Sequence, residues 1–132
     1  MLGEMIGELT GKITGIRVLP MECCPKMESS FQDMGKILDV DVTDIGTFWS
    51  LFKEDGGLYG EGQGILMTDD GEIVTWTGQG IGNMKGKGAD YRVSVFFNTS
   101  SKKLARLNNT MGISEYSIDE EGNTHEKLWE WK

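Results

Sequence analysis

The sequence contains few of the residues that build metal sites, hydrolytic triads and disulfide frameworks. Its 132 residues include two cysteines, two prolines and one histidine. Cys23 and Cys24 are adjacent, a spacing that resists disulfide geometry, so we expect reduced thiols, and two cysteines are too few for a zinc site. His125 lies beside a predicted turn, where neither a Ser-His-Asp triad nor a catalytic zinc is indicated. We therefore expect no metal, no cofactor and no catalytic residue of these classes.

Long apolar segments and an excess of positive charge are also missing. No segment approaches the roughly 18 apolar residues that span a bilayer. The first residues, Met1–Glu8, have neither the basic start nor the apolar core of a signal peptide. The formal net charge of −8 repels phosphate backbones and anionic membrane surfaces. The sequence predicts an acidic, cytoplasmic protein that binds neither nucleic acid nor membranes.

Glycine, by contrast, is abundant, and its placement is the most informative feature of the chain. There are 19 glycines, and they occupy every second position of two strand-like runs, Gly60–Gly64 and Gly78–Gly82. A turn sequence, Thr68–Glu72, lies between the runs. Because side chains alternate between the two faces of a strand, each run leaves one face bare. The pattern predicts a β-hairpin whose bare stripes allow the sheet to coil strongly.

The rest of the chain favours a period of two, and no long helix-forming run interrupts it. The predicted strands are 5–18, 26–34, 36–44, 58–68, 72–82, 91–97, 104–107 with 111–118 around a break at Asn108 and Asn109, and 126–131. Residues 47–53 either continue the third strand past Gly46 or form a helical turn. On the last strand, Trp129 and Trp131 are predicted to share the buried face, with Glu130 opposite. About eight strands joined by short turns predict a single domain, residues 1–132, folded as an antiparallel up-and-down β-barrel. A two-sheet β-sandwich is the alternative.

Two registers are open for the glycine-rich hairpin. A three-residue loop, Asp69–Gly71, pairs Gly62 with Gly78 and Gly64 with Trp76, whose ring would then cover bare backbone. A two-residue turn shifts the pairing by one residue. The three-residue loop is favoured because it keeps one face small and the other polar.

A narrow barrel is either filled by side chains or holds one small ligand. Trp76 is predicted as the wall of such a pocket, and the predicted polar ligand contacts are Glu61, Gln63, Thr77 and Gln79. The leading hypothesis is non-enzymatic binding of a small, partly apolar ligand. A second hypothesis is an assembly module whose apolar strand faces form a homo-oligomer. A third is a cyclase- or isomerase-like enzyme that uses one buried carboxylate, with an inward-facing Glu61 as the candidate.

Four segments carry a resemblance to known proteins: Gly60–Gly64, Thr75–Gly80, Lys103–Asn108 and Trp129–Lys132. With them, roughly the C-terminal two-thirds of the chain resembles a small prokaryotic family of uncharacterised proteins. Its architecture is similar to small antiparallel barrels of the calycin and allene oxide cyclase type. Such barrels bind apolar ligands, and a few perform proton-assisted rearrangements. No catalytic motif of those enzymes matches residue by residue, so the resemblance implies a fold and no activity.

Overall fold

Eight antiparallel strands form a closed barrel in which each strand pairs with its neighbours in sequence and the last strand pairs with the first. The computed structural model describes all 132 residues. The strands are β1 (Leu2–Val18), β2 (Lys26–Ile37), β3 (Val40–Phe52), β4 (Gly57–Thr68), β5 (Ile73–Lys85), β6 (Gly88–Thr99), β7 (Met111–Ile118) and β8 (Asn123–Trp131). The predicted all-β up-and-down barrel is confirmed, and the β-sandwich alternative is wrong.

The bounds of the second and third strands differ from the prediction. The predicted strand 36–44 is divided by a turn, because Leu38 and Asp39 have positive φ angles of 50° and 63° and connect β2 to β3. β3 then continues through Gly46 to Phe52, so residues 47–52 are strand and not a helical turn.

The connection from β6 to β7 closes one end of the barrel. The sequence predicts a strand here, but Ala105–Asn109 form a 3₁₀ helix. No helix of the chain is long and apolar enough to cross a membrane. Leu104 and Leu107 are fully buried, and their three-residue spacing places both on one side of a 3₁₀ turn. They belong to an apolar cluster with Ile6, Leu9, Ile37, Val42, Leu66, Val74, Val95 and Leu128. This cluster forms the base of the barrel.

The β4–β5 hairpin has the register of the three-residue loop. Gly64 pairs with Trp76, and the Thr68 N–H donates to the Glu72 carbonyl oxygen at 3.0 Å. The Trp76 indole lies so close to Gly64 that a Cβ there would be 2.5 Å from the ring. The prediction that this ring covers the bare backbone at Gly64 is therefore confirmed.

The glycine rows face the barrel interior. On β4 they share a face with Leu58 and Leu66, both of which are buried. On β5, a Cβ at Gly82 would lie 2.2 Å from the carbonyl oxygen of Asp90 on β6. Neighbouring strands can therefore approach more closely than side chains would permit, as strong coiling of the sheet requires.

On β8 the buried face is opposite to the predicted one. Leu128 and Glu130 are buried, whereas Trp131 is 48% exposed. Arg106, beside the 3₁₀ connection, places its guanidinium nitrogen Nη2 at 2.8 Å from the Glu130 carboxylate. The buried position of this glutamate is possible because a cation accompanies it at the barrel end.

Cys23 and Cys24 are joined by a disulfide bond, so the expectation of reduced thiols is wrong. They lie in the connection between β1 and β2, where the chain bends at residues 22–24 and brings the adjacent side chains together. This hairpin extends past the barrel wall, because β1 pairs with β8 only as far as Lys12 but with β2 as far as Val18.

Gly82→Ala is expected to lower the free energy of unfolding by about 1–3 kcal/mol, because the added methyl group would force β5 and β6 apart. Gly15→Ala in β1 is the matched control: nothing lies within 4 Å of its Cβ position, and a change within about 0.5 kcal/mol is expected. Urea denaturation followed by tryptophan fluorescence measures both. Equal stability of the two variants would contradict the steric role of the inward glycines.

Candidate functional site

A cavity of about 70 Å³ lies in the barrel interior against the glycine rows. Its walls are aromatic and aliphatic side chains: Phe31, Phe48, Trp76, Tyr91, Phe97, Tyr116, Ile37, Leu66, Val93, Val95 and Leu128. Bare backbone is contributed by Gly60, Gly62, Gly78 and Gly80. One water needs about 10–15 Å³ by this kind of measure, and an apolar cavity of about 150 Å³ holds benzene. The cavity therefore has room for a molecule of a few non-hydrogen atoms.

Aromatic rings pack across the interior on the side of the cavity away from the 3₁₀ helix. The Phe31 ring centroid lies 5.5 Å from that of Tyr116 and 6.2 Å from that of Trp76. These rings meet over Gly46, where a Cβ would be 2.6 Å from Phe31 and 2.7 Å from Trp76. Glycine at this position thus lets large rings from opposite walls approach each other.

Three carboxyl groups lie in the same interior, between the apolar base and the aromatic rings. Asp33 on β2 and Asp44 on β3 are direct cross-strand neighbours and are 1% and 4% exposed. Glu126 on β8 is partly buried, on the inward face of its strand, and lines the cavity. Each carboxyl group accepts one side-chain hydrogen bond: Thr124 Oγ1 donates to Asp33, Trp76 Nε1 to Asp44 at 2.8 Å, and Ser114 Oγ to Glu126 at 2.6 Å.

Burial raises the pKa of all three carboxyl groups. The pKa of Asp44 rises to about 8, mainly through desolvation, with Glu126 and Asp33 nearby adding to the shift. Desolvation likewise raises the pKa of Glu126 to about 7 and that of Asp33 to about 6. No lysine, arginine or histidine lines the cavity to offset these shifts. At neutral pH, Asp44 is therefore mainly protonated, whereas Glu126 is divided between its acid and its carboxylate.

The Tyr116 hydroxyl is a buried donor that makes no hydrogen bond of standard geometry, although the Thr124 side chain lies close enough to interact with it and to lower its pKa. The residue is 7% exposed and lines the cavity. Burial raises its pKa far above the ordinary value, and the neighbouring Asp33 and Glu126 raise it further. Tyr91, the other tyrosine of the cavity wall, differs because its hydroxyl is 2.8 Å from Ser50 Oγ. Buried hydroxyl groups are rarely left unpaired, so Tyr116 has the capacity to bind an acceptor atom in the cavity.

Of the five ligand contacts predicted from the sequence, three are among the residues that line the cavity: Trp76, Glu61 and Gln79. Only the Trp76 side chain points inward, because Glu61, Gln63, Thr77 and Gln79 alternate with the inward glycines and have exposed side chains. Glu61 accepts a hydrogen bond from the exposed Tyr59 hydroxyl at 2.6 Å. Gln63 and Thr77 are not part of the cavity lining. Glu61 is also not the buried carboxylate that the enzyme hypothesis needs.

The interior carboxyl groups are the residues that sequence reasoning missed, although a signal for one of them was present. Asp44 continues the series Val40, Val42, which the sequence assigns to the apolar face of its strand. A carboxylate in a series of apolar residues is a stronger sign of a functional site than one in a series of acidic residues, because the cost of burying it has to be compensated.

Solved structures with this fold include proteins of unknown function. One from Clostridium acetobutylicum has a TM-score of 0.83 at 13% identity, over 98% of each chain. A conserved protein of unknown function from Rhodopseudomonas palustris has a TM-score of 0.81 at 12% identity, over 98% of this chain and 97% of the other. A β-barrel-like protein from Acinetobacter baumannii has a TM-score of 0.83 at 14% identity, over 100% of this chain and 96% of the other.

These identities show a shared fold alone. No protein-family model and no curated protein matches the chain. The resemblance to uncharacterised proteins with a β-barrel architecture is confirmed.

Asp44→Asn is expected to remove most of the pH dependence of stability between pH 7 and pH 8. The Asp44 carboxyl has a pKa of about 8 in the folded chain, against an ordinary value of 3.8. Between these values the folded state binds more protons, so the free energy of unfolding falls as the pH rises. Titration of this one group accounts for a fall of roughly 1 kcal/mol from pH 7 to pH 8. Urea denaturation at several pH values measures the slope.

Glu61→Gln is the matched control, because this carboxyl group is exposed. It is expected to keep the wild-type slope. A slope in Asp44→Asn as steep as that of the wild type would show that the Asp44 carboxyl does not titrate in this range.

Proposed function

We propose that the barrel binds one small, neutral, largely apolar molecule that carries a hydrogen-bond-accepting oxygen. The observation that carries this proposal is the Tyr116 hydroxyl, a buried donor that lines an aromatic cavity and makes no hydrogen bond of standard geometry with the protein. Protonated Asp44 is a second donor at the same cavity, since its carboxyl group has only the hydrogen bond from Trp76. Two donors that converge on an apolar pocket suit a carbonyl oxygen.

The charge of the cavity supports a neutral ligand. Asp33 and Glu126 raise the pKa of Asp44, Asp33 also raises the pKa of Glu126, and the cavity lining has no cationic side chain. An anionic ligand would be repelled by any of these groups that is ionised and would lose its hydration without compensation. Ketones, aldehydes and esters meet the requirement, whereas carboxylates and phosphates do not.

The cavity volume limits the affinity and thereby the choice of assay. Small ligands gain at most about 1.5 kcal/mol per non-hydrogen atom. A ligand of about five such atoms, the size of butan-2-one, therefore reaches a Kd no lower than micromolar, and values up to millimolar are ordinary. Titration followed by NMR of the protein is suited to this range.

Butan-2-one is expected to shift the NMR signals of Trp76 and of the cavity side chains in a saturable titration. Tyr116→Phe is expected to weaken its binding about 5- to 10-fold, the usual effect of one neutral hydrogen bond. 2-Methylbut-1-ene is the matched ligand, because it has the same heavy-atom shape without the oxygen. Its affinity is expected to be the same in wild type and in Tyr116→Phe.

The stability of Tyr116→Phe serves as the control for folding. Because the hydroxyl makes no hydrogen bond of standard geometry, the variant is expected to be about as stable as the wild type. No saturable binding of butan-2-one to the wild type, or an equal loss of affinity for both ligands in Tyr116→Phe, would contradict the proposal.

Self-association is a second candidate, favoured by the outer surface of β2–β5. Met34, Ile45, Ile65 and Ile73 are each more than 40% exposed, and Ile45 is the cross-strand neighbour of Ile65. Apolar side chains on adjacent strands form the kind of surface that buries against a second copy of a chain. Ile45→Lys is expected to convert a dimer into a monomer in sedimentation velocity experiments. A monomeric wild type at high concentration would contradict this candidate.

A cytoplasmic location and the absence of nucleic-acid and membrane partners stay predictions. The net charge of −8 supports the absence of nucleic-acid and membrane partners, because a surface of this sign repels phosphate groups at moderate ionic strength.

A further inference from the structure

Three groups with acid–base chemistry line one cavity from three different strands. Tyr116 on β7 and Glu126 on β8 are direct cross-strand neighbours with both side chains inward. Asp44 faces the same cavity from β3, and Glu126 lies near enough to raise the Asp44 pKa. Of these groups, Tyr116 is more than nine-tenths buried, and its hydroxyl makes no hydrogen bond of standard geometry, with Thr124 as its nearest polar neighbour. This donor points to a ligand independently of the carboxyl groups.

We propose that the cavity catalyses proton transfer at the carbon next to the carbonyl group of a small neutral ketone or aldehyde, with Glu126 as the base and with Tyr116 and Asp44 as donors to the carbonyl oxygen. This inference rests on the proposed function, because it requires a carbonyl compound in the cavity. The substrate class is an enolisable carbonyl compound, and the reaction class is isomerisation through an enol.

The roles follow from the different environments of the two carboxyl groups. Asp44, with a pKa of about 8, is the group that stays protonated and donates at neutral pH. Glu126, with a pKa of about 7, supplies a carboxylate in the same range. Asp33 on β2 lies behind the cavity with Thr124 and adds negative charge, and Tyr91 on β6 is neutral. Because Glu126 raises the pKa of Asp44, the two carboxyl groups titrate as a coupled pair, and one shared proton leaves an acid and a base at the same cavity.

The proton transfer balances without any further reactant. The Glu126 carboxylate takes the proton from the carbon next to the carbonyl group, and the electrons of that C–H bond form the carbon–carbon double bond of the enol. The carbonyl π electrons move to the oxygen, which accepts hydrogen bonds from Tyr116 and Asp44 and takes the Asp44 proton to complete the enol; this proton returns to Asp44 when the carbonyl group forms again. Glu126, now protonated, returns a proton to the same carbon or, in an unsaturated substrate, to the carbon two bonds further on.

Hydrogen–deuterium exchange of butan-2-one in D₂O tests the step directly. The wild-type protein is expected to incorporate deuterium at C1 or C3, measured by ¹H NMR, at least 10-fold faster than buffer alone. Glu126→Gln is expected to lower the protein-dependent rate at least 100-fold, as the removal of a general base usually does. Glu115→Gln, which alters an exposed carboxyl group on β7 outside the cavity lining, is the matched control and is expected to exchange at the wild-type rate.

The pH profile separates a catalytic base from a structural glutamate. The exchange rate is expected to rise as Glu126 ionises near pH 7 and to fall as Asp44 loses its proton near pH 8. Glu126→Asp keeps the carboxyl group but withdraws it by one methylene group, so exchange is expected to be slowed with the bell-shaped profile retained. This variant also serves if Glu126→Gln does not fold.

Binding of butan-2-one and its deuterium exchange are measured in separate experiments, so the binding proposal and the catalytic proposal can be contradicted independently. Saturable binding of butan-2-one without protein-dependent exchange overturns the catalytic inference and leaves the binding function intact. Exchange in folded Glu126→Gln at the wild-type rate also overturns it. The absence of binding overturns both.

Discussion

The close approach of neighbouring strands is the constraint on which the rest of the structure depends. An eight-stranded sheet closes into a cylinder whose interior is only just wide enough for side chains. At Gly82 and Gly35, a Cβ would lie 2.2 Å and 2.1 Å from a carbonyl oxygen of the adjacent strand. The strands can adopt this spacing because the inward positions are bare. The same missing side chains leave a space that Trp76 fills only in part, so strong coiling and the cavity have a single cause.

The buried carboxyl groups depend on this arrangement in turn. A Cβ at position 11 would lie 2.4 Å from the Asp33 carboxylate. Glycine at this position in β1 therefore leaves space for a polar side chain inside the barrel. A barrel stabilised by packing alone would gain from leucine or valine at these positions, because a buried carboxyl group either loses hydration or has to be protonated. Retention of three such groups between two apolar clusters is a cost to stability. Such costs are found mainly where a site requires them.

The fold could be predicted because its signals are local. Period-two alternation specified the strands, and the loop Asp69–Gly71 specified the register of the central hairpin. Alternation does not reveal which face lies inside. On β8 the two tryptophans suggested one face, yet Leu128 and Glu130 are buried, because Arg106 from the β6–β7 connection reaches the glutamate. The 3₁₀ helix was missed for a related reason. Leu104 and Leu107 pack against residues of distant strands, and the local sequence pattern contains no information about these contacts.

The site was harder to predict because it is assembled from residues far apart in sequence. The proposed donors and the proposed base come from β3, β7 and β8, and none of them forms a motif with its sequence neighbours. The volume depends on how closely opposite walls approach, as where Phe31 and Trp76 meet over Gly46. The solved structures compared keep this barrel at 12–14% identity, so the backbone fold tolerates nearly complete replacement of its side chains. Because the fold places so few demands on particular residues, inward carboxyl groups that packing does not need support the proposed proton transfer.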